Sequence, residues 1–527
     1  NPQISNMSTI DIIIVAAFII FIVWWAMRHG KSSDSQSYFL AARNMKWWVI
    51  GLSLFAASIS SSTLIGNSGD AYATGIAVFN YNLVSVVVMV FFAWFFLPFY
   101  IKSGIFTMPE FLGRRFDQRS RYYFSFICIV GNVFLDAAGA LYAAALILKL
   151  LLPEVDMMLI ITVFALIAAL ITIPGGLSSA INAELIQAVV LILGSIVLTI
   201  LCANAGGAEY LREVIANGDI VTKLVRPMDD LSVPWLGMIV GIPILGFYFW
   251  GNNQTLVQRV LAAKNVDEGR KGVLFNGFLT LLTLFFIILP GVMALRLFPG
   301  LEKPDMVYPT MILELMPVGL LGLMIAVLLA ALTSTLSAIL NSAATLFTMD
   351  FYTKFRPNTS TEQLVTVGRI VSIVILVIAV LWAPNIGKFG SLVKYYQEML
   401  SYISPPIVAA FFLGLFSKRV NGTGVFIGFM VGLVTAIVML FFRTAIFGDM
   451  HFLLVVPFLL IGSILIMVIA SRFFEKPSEE VLKEYTWSAQ EFREETVALK
   501  SVKWYANYRI WSYILLACCA LILLVFR

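Results

Sequence analysis

The stretch ASISSSTLIG, residues 57–66, lies inside a segment as apolar as a membrane helix, yet four of its ten residues are serines. The hydrocarbon core of a bilayer offers no water to a loose backbone group. Irregular backbone at membrane depth therefore survives only where it is buried in protein or lines a cavity. A hydroxyl-rich stretch that interrupts a helix in such a place points to a bound polar species.

The flanking chain supports the membrane setting. Of 527 residues, 60% are hydrophobic and 12% charged, with a mean hydropathy of +0.93, outside the range of soluble domains. Counting runs of about 20 mainly apolar residues gives about fourteen segments, the first at 9–27, the serine-rich one at 47–75 and the last at 508–526. The expected fold class is all-α, a polytopic membrane protein with about 14 transmembrane helices. No segment is as short as a barrel strand and none alternates, which argues against a β-barrel. The first segment lacks a small-residue cleavage signal and reads as a retained helix.

Most of the 35 lysines and arginines fall in alternate loops, which by the positive-inside rule places both termini outside. The net charge of +5 is then the basic rim of a membrane protein, and no nucleic-acid partner is expected. Cys128, Cys202, Cys518 and Cys519 lie in apolar segments without metal-ligand spacing, and the two histidines, His29 and His451, stand at segment ends. Transition-metal chemistry and Cys/His nucleophilic catalysis are thereby excluded, and the protein is not expected to be an enzyme. The polar stretch 472–507 mixes both signs of charge and reads as a surface helix and linker with solvated charges.

A second interrupted segment matches the first. Five segments after 47–75, ILGFYFWGNNQ (residues 244–254) brings glycines, aromatics and amides to membrane depth. Discontinuous helices at corresponding places in two halves point to a transporter built from inverted repeats, with its site near the bilayer midplane. The alternative is that small residues there merely let helices pack closely. The division expected is a leader, extra helix and loop at 1–46, a first five-helix repeat at 47–204, an external loop at 205–232, a second repeat at 233–417, and accessory helices with a cytoplasmic loop at 418–527.

Hydroxyls and freed carbonyls are oxygen donors, which a hard cation requires. A second hydroxyl cluster, Thr333, Ser334, Thr335 and Ser337, lies in AALTSTLSAILNSAATLFTMD (330–350). Helix positions three or four apart share a face, although such hydroxyls also bond to their own helix. Two clusters on different segments suggest a monovalent-cation site.

The stretches SYFLAARNMKWWVIGLSLFAASISSSTLIG (37–66), GGLSSAINAELIQ (175–187), WGNNQTLVQRVLAAKNVDEGRKG (250–272), LTSTLSAILNSAATLFTMDFY (332–352) and YYQEMLSYISPPIVAAFFLGLFSKR (395–419) resemble, in order and spacing, the sodium/solute symporter family, and most of all its bacterial sodium/sugar branch. The resemblance implies a leucine-transporter-like fold, with a ten-helix inverted-repeat core, one helix before it and three after. It implies Na+ as the coupling ion, with no organic cofactor, held by the carbonyls of Ala56, Ile59 and Ala331 and the hydroxyls of Ser334 and Thr335. Trp250 and Gln397 match sugar-contacting positions, and Tyr81 and Phe249 match gating aromatics. Asn82, Thr63, Gly246 and Thr280 stand where sugar members carry glutamate, glutamine, asparagine and lysine. Two charges are lost by those departures.

Three acids read as buried, and carboxylates within a membrane mark function or a partner. Asp136 matches a position that holds a substrate-binding arginine in a sialic-acid member; a carboxylate there suits hydroxyls, amide protons or a cation, or pairs with another helix. Glu184 replaces the family's aspartate and, with Ser337, is a possible second sodium site or ion pathway, although Ala338 takes the place of a further hydroxyl. Asp70 reads as a vestibule or helix-cap residue.

The function expected is sodium-coupled import of a small neutral polyhydroxy, sugar-like solute by alternating access, by an integral protein of the bacterial inner membrane. The alternative within transport is an amino acid, choline-like or other cationic or carboxylate solute. A channel would need a continuous pore with several weak sites, and an enzyme a nucleophile with its base; neither constellation is in the sequence.

Overall fold

In hydrocarbon each backbone N–H must find its carbonyl within the same segment, so long apolar runs become helices. A computed structural model describes residues 8–29, 43–59, 61–151, 154–172, 176–230, 232–301, 304–385 and 392–527. Where they are described, the apolar segments fall on helices, some unbroken and some divided into two or more, and among the described residues the only β pairing is two isolated bridges.

Helix α1 (Thr9–His29) precedes a broken rod made of α2 (Trp47–Ser58) and α3 (Ser61–Thr74), whose halves are bent by 63°. Next come α4 (Asn80–Phe95), then α5 (Gln118–Val130) and α6 (Ala138–Leu151), joined by a π turn at Gly131–Ala137. Helices α7 (Met157–Thr172) and α8 (Gly176–Cys202) complete the first half. After α9 (Ala208–Ala216) and α10 (Trp235–Val240), a second broken rod is formed by α11 (Ile242–Phe247), a π turn at Tyr248–Asn252 and α12 (Gln254–Leu261). The second half continues with α13 (Val266–Thr283), α14 (Leu289–Leu297), α15 (Val307–Leu315), α16 (Leu320–Leu346), α17 (Thr361–Trp382) and α18 (Leu392–Phe416). Helices α19 (Gly422–Phe447), α20 (Phe452–Ser471), α21 (Ala489–Leu499) and α22 (Tyr508–Val525) follow.

Among the described residues nine helices are long and apolar enough to cross a membrane, or ten if the bent pair is one span. Shorter apolar helical stretches at Thr9–Phe18, Met157–Leu170 and Leu400–Phe416 lie on α1, α7 and α18. The outward faces carry the expected apolar stripes. On α17, Ile370, Ile373, Val377 and Leu381 are exposed at the three- and four-residue spacing of one helix face.

Both breaks are written into local chemistry. Ile59 has φ −92° and ψ 88°, outside the helical region. Hydroxyls bond the carbonyls at the break: Ser58 Oγ donates at 2.9 Å to the Phe55 carbonyl, which also accepts from the Ile59 N–H at 3.0 Å, and Thr63 Oγ1 donates to the Ser58 carbonyl at 3.2 Å. In the second rod Asn253 is extended (φ −68°, ψ 118°). Its side-chain oxygen accepts from the Thr255 N–H at 2.8 Å and starts α12 as an N-cap.

Three contacts tie neighbouring helices together. Helix α2 packs on α13 through facing glycines: a Cβ on Gly51 would come within 2.5 Å of the Phe275 ring, and one on Gly272 within 2.7 Å of Ile50. Asp11, fully buried on α1, accepts from the N–H groups of Gly319 at 2.8 Å and Gly322 at 2.7 Å, capping α16. Glu495 on α21 bonds Arg270 of α13, and Arg509 and Tyr508 of α22, the last two at 3.0 Å. The charged stretch 472–507 is thus a clamp at Glu495, where a solvated face is expected from the sequence, because its carboxylate meets two arginines at once.

Candidate functional site

The two breaks, α4 and the end of α13 enclose a cavity of about 250 Å³. Thr63 and Asn67 reach it from α3, Asn82 and Ser85 from α4, Thr280 and Thr283 from α13. Each pair is three or four residues apart and so shares a helix face. Phe55, Tyr81, Tyr248, Phe249 and Trp250 supply aromatic walls, with the Phe249 and Trp250 rings edge to face at 5.3 Å. Among the described residues no Asp, Glu, Lys or Arg lines this cavity.

Five residues expected from the sequence at a solute site or its gate, Thr63, Tyr81, Asn82, Phe249 and Trp250, therefore meet in one place, along with Gly246 and Thr280. Asn67, Ser85, Tyr248 and Thr283 were not anticipated, although the helical spacing from Thr63, Asn82 and Thr280 would have found three of them. Asp136 is placed differently. It sits on the π turn and lines a second cavity of about 40 Å³ with Cys128, Asn132 and Asn253. Tyr248 and Leu400 border both spaces, so the two adjoin.

Polar groups in the larger cavity are held in fixed orientations. The Thr280 hydroxyl donates to the Asn276 carbonyl at 2.9 Å, the Thr283 hydroxyl to the Thr280 carbonyl at 2.6 Å, and the Asn82 Nδ2 group to Thr283 Oγ1 at 3.0 Å. Such neutral, preoriented groups can hydrogen-bond an uncharged polar solute, while the rings cover its apolar faces.

Of the expected sodium ligands, Ala56 and Ile59 are buried at the first break and Thr335 is buried on α16, which packs against α2. Ser337, one helical step further, is 1% exposed, and its hydroxyl has no hydrogen-bond partner among the described residues. Its neighbour Ala338 is fully buried. The side chains of Glu184, Ala331, Ser334 and Gln397 lie outside the described residues. Glu184 belongs to α8, which packs along α16, and Gln397 to α18, three residues before Leu400. Asp70 is partly buried on α3, one turn beyond Asn67, and is not itself among the residues that line the cavity.

Beyond the smaller cavity the bundle is closed by polar bonds between elements far apart in the sequence. The Met108 N–H donates to Gln254 Oε1 at 2.7 Å, and Gln258 Nε2 to Thr345 Oγ1 at 2.5 Å. Asp350, fully buried, accepts from Thr107 at 2.7 Å, from Arg121 Nε at 2.9 Å and from the Ser125 hydroxyl.

Comparison with known proteins gives this geometry its family. The rat protein named Solute carrier family 5 member 4 is 34% identical over 556 residues, covering 95% of this chain and 83% of its own. The sheep Sodium/glucose cotransporter 1 is 33% identical, covering 94% and 83%. Among solved structures, a substrate-bound outward-open Na+-coupled sialic acid symporter superposes with a TM-score of 0.79 at 23% identity, covering 90% of this chain and 99% of that one. A nucleobase-cation-symport-1 family transporter superposes with a TM-score of 0.59 at 16% identity, covering 88% and 99%. The fold is that of leucine-transporter-like symporters. Residues 38–432 match the profile of the Sodium:solute symporter family, and with these relatives at a third of identical residues over nearly its whole length, the chain belongs to that family.

Proposed function

We propose that this sodium-coupled symporter takes up a small neutral polyhydroxy solute, sugar-like in its hydrogen bonding, without altering it chemically. The observation that carries the reading is the larger cavity: seven neutral hydroxyl and amide side chains between aromatic rings, with no ionised side chain among its described lining residues. An ionised solute would be desolvated there without a partner, which is unfavourable by several kcal/mol. The names of the glucose cotransporter relatives agree with it.

In this reading Ala56, Ile59, Ala331, Ser334 and Thr335 hold the coupling sodium; Thr63, Tyr81, Asn82, Trp250 and Gln397 hold the solute; and Tyr81 and Phe249 gate it. Asp136 acts on the exit side, in the smaller cavity, and Glu184 with Ser337 forms a second ion site or pathway. Residues 47–204 and 233–417 are the two repeats, and their alternate rocking opens the cavity to either side. The bundle crosses a bacterial inner membrane fourteen times with both termini outside, and the bonds around Gln254, Gln258 and Asp350 seal the cytoplasmic side.

A cationic solute is the second reading, and Asp136 is the observation that favours it. Thermal shift of the purified protein separates the two, since a ligand that binds only the folded state raises its apparent stability. D-glucose, D-galactose, myo-inositol, choline, lysine and alanine are each tested with and without sodium. A shift from a sugar or inositol that requires sodium is the expected result. A shift from choline or lysine alone would replace this reading with the cationic one.

A further inference from the structure

The hydrogen bonds at the α4–α13 wall of the cavity have a direction, and that direction constrains the solute. Thr283 is the last residue of α13, 2% exposed, and its hydroxyl proton is committed to the Thr280 carbonyl at 2.6 Å. A hydroxyl with its one proton engaged can only accept at its remaining lone pairs. Whatever faces Thr283 Oγ1 must therefore donate, and the group that does so is the Asn82 amide, at 3.0 Å. An amide has its oxygen and its NH2 on opposite arms of one plane. Fixing the nitrogen on Thr283 leaves the oxygen as the arm available to the cavity that Asn82 lines.

The neighbouring hydroxyls are committed in the same sense. Thr280 donates to the Asn276 carbonyl at 2.9 Å, Ser58 to that of Phe55 at 2.9 Å and Thr63 to that of Ser58 at 3.2 Å. In each, the proton is engaged on the backbone. The wall made by the first break, Asn82 and the end of α13 consequently presents acceptors.

We propose that Thr283 is a positioning residue that locks the Asn82 amide with its oxygen toward the cavity, so that the solute group seated against Asn82 Oδ1 must be a hydrogen-bond donor. The inference rests on the reading of this cavity as the solute site, and it adds a polarity to it. A ring hydroxyl meets the requirement. An ether oxygen, a fluorine or a carbonyl in the same place does not.

The test uses whichever of D-glucose, D-galactose and myo-inositol gives the largest sodium-dependent thermal shift, together with its set of monodeoxy and monofluoro-deoxy analogues. The readout is inhibition of uptake into proteoliposomes. In the unmodified protein one hydroxyl should prove sensitive, its deoxy and fluoro analogues both binding about tenfold more weakly, the scale of one hydrogen bond. Fluorine fails there because it cannot donate. In Thr283→Val the amide is free to turn its NH2 toward the cavity. The fluoro analogue at that position should then recover to within about threefold of the parent, while the deoxy analogue stays weak. Thr283→Ser keeps the acceptor and should behave as the unmodified protein does. A merely structural role for Thr283 would weaken parent and analogues alike, and that result, or unchanged fluoro discrimination in Thr283→Val, overturns the proposal. Asn82→Ala separates the layers: if it leaves affinity for the parent unchanged, or if none of the three compounds shifts the protein, the reading of the cavity as a sugar site falls.

Discussion

Thr335 is a single hydroxyl, and its importance comes from where the chain places it. It is buried on α16 at 8% exposure, beside the rod whose helix stops at Ile59. Removing it together with its neighbour in Ser334→Ala/Thr335→Ala takes two of about five oxygens from the proposed ion site. The sodium concentration for half-maximal uptake should rise at least about tenfold, with the amount of protein at the membrane unchanged; an unaltered sodium dependence would remove these residues from the site. Arg121 tests a different kind of residue. Its guanidinium neutralises Asp350, whose carboxylate is wholly buried, and truncating one partner of a buried pair leaves a charge uncompensated at a cost of about 3–5 kcal/mol. Arg121→Ala should lower the melting temperature in detergent strongly, and Arg121→Ala/Asp350→Asn should recover part of the loss. The residues at the breaks were legible in the sequence because serine, glycine and asparagine are conspicuous at membrane depth. Thr283 and Ser85 were legible only through their three-residue spacing from Thr280 and Asn82, since a hydroxyl on an apolar helix usually bonds its own backbone and it is the fold that shows which of them also faces a cavity.

At the scale of elements, the approach of α2 to α13 depends on having no side chain at Gly51 and Gly272. Gly272→Ala puts a Cβ within 2.7 Å of Ile50 and should lower both thermal stability and the apparent affinity for sodium, because the displaced helix carries Ala56 and Ile59. Full retention of both would show that the contact is not needed. The clamp at the same end of α13, on Arg270, predicts a pH dependence. Burial acts to raise the Glu495 pKa, but its bonds to Arg270, Tyr508 and Arg509 outweigh burial and hold the carboxyl below its ordinary range. A group with a depressed folded pKa stabilises the fold above its unfolded value, about 4.3. That contribution is lost as the pH falls through the folded value. Glu495→Gln should therefore melt below the unmodified protein at pH 6, and the gap should close as the pH falls below about 4. A gap that persists or widens in acid would contradict the assignment. The clamp was hidden in the sequence because 472–507 carries charges of both signs, and a charge run does not reveal which member will be packed. The helices were plain, as apolar length dictates them; the π turn at Gly131–Ala137, which puts Asp136 in the smaller cavity and not the larger, has no such signal.

For the whole molecule, the central claim is that solute and sodium move together through one site that is never open to both sides of the membrane at once. An inside-negative potential of about 100 mV gives one sodium ion roughly 2.3 kcal/mol, and a tenfold gradient adds about 1.4 kcal/mol. Together these sustain a solute ratio on the order of 500. The most direct measurement is uptake of the sugar with the largest sodium-dependent thermal shift, in proteoliposomes holding that gradient and potential, against matched vesicles in which choline replaces sodium on both sides. The account predicts transient accumulation well above the outside concentration with sodium, a faster initial rate when the potential is more negative, and no accumulation with choline. Equal accumulation in choline, or sodium-independent equilibration that stops at the outside concentration, would contradict it.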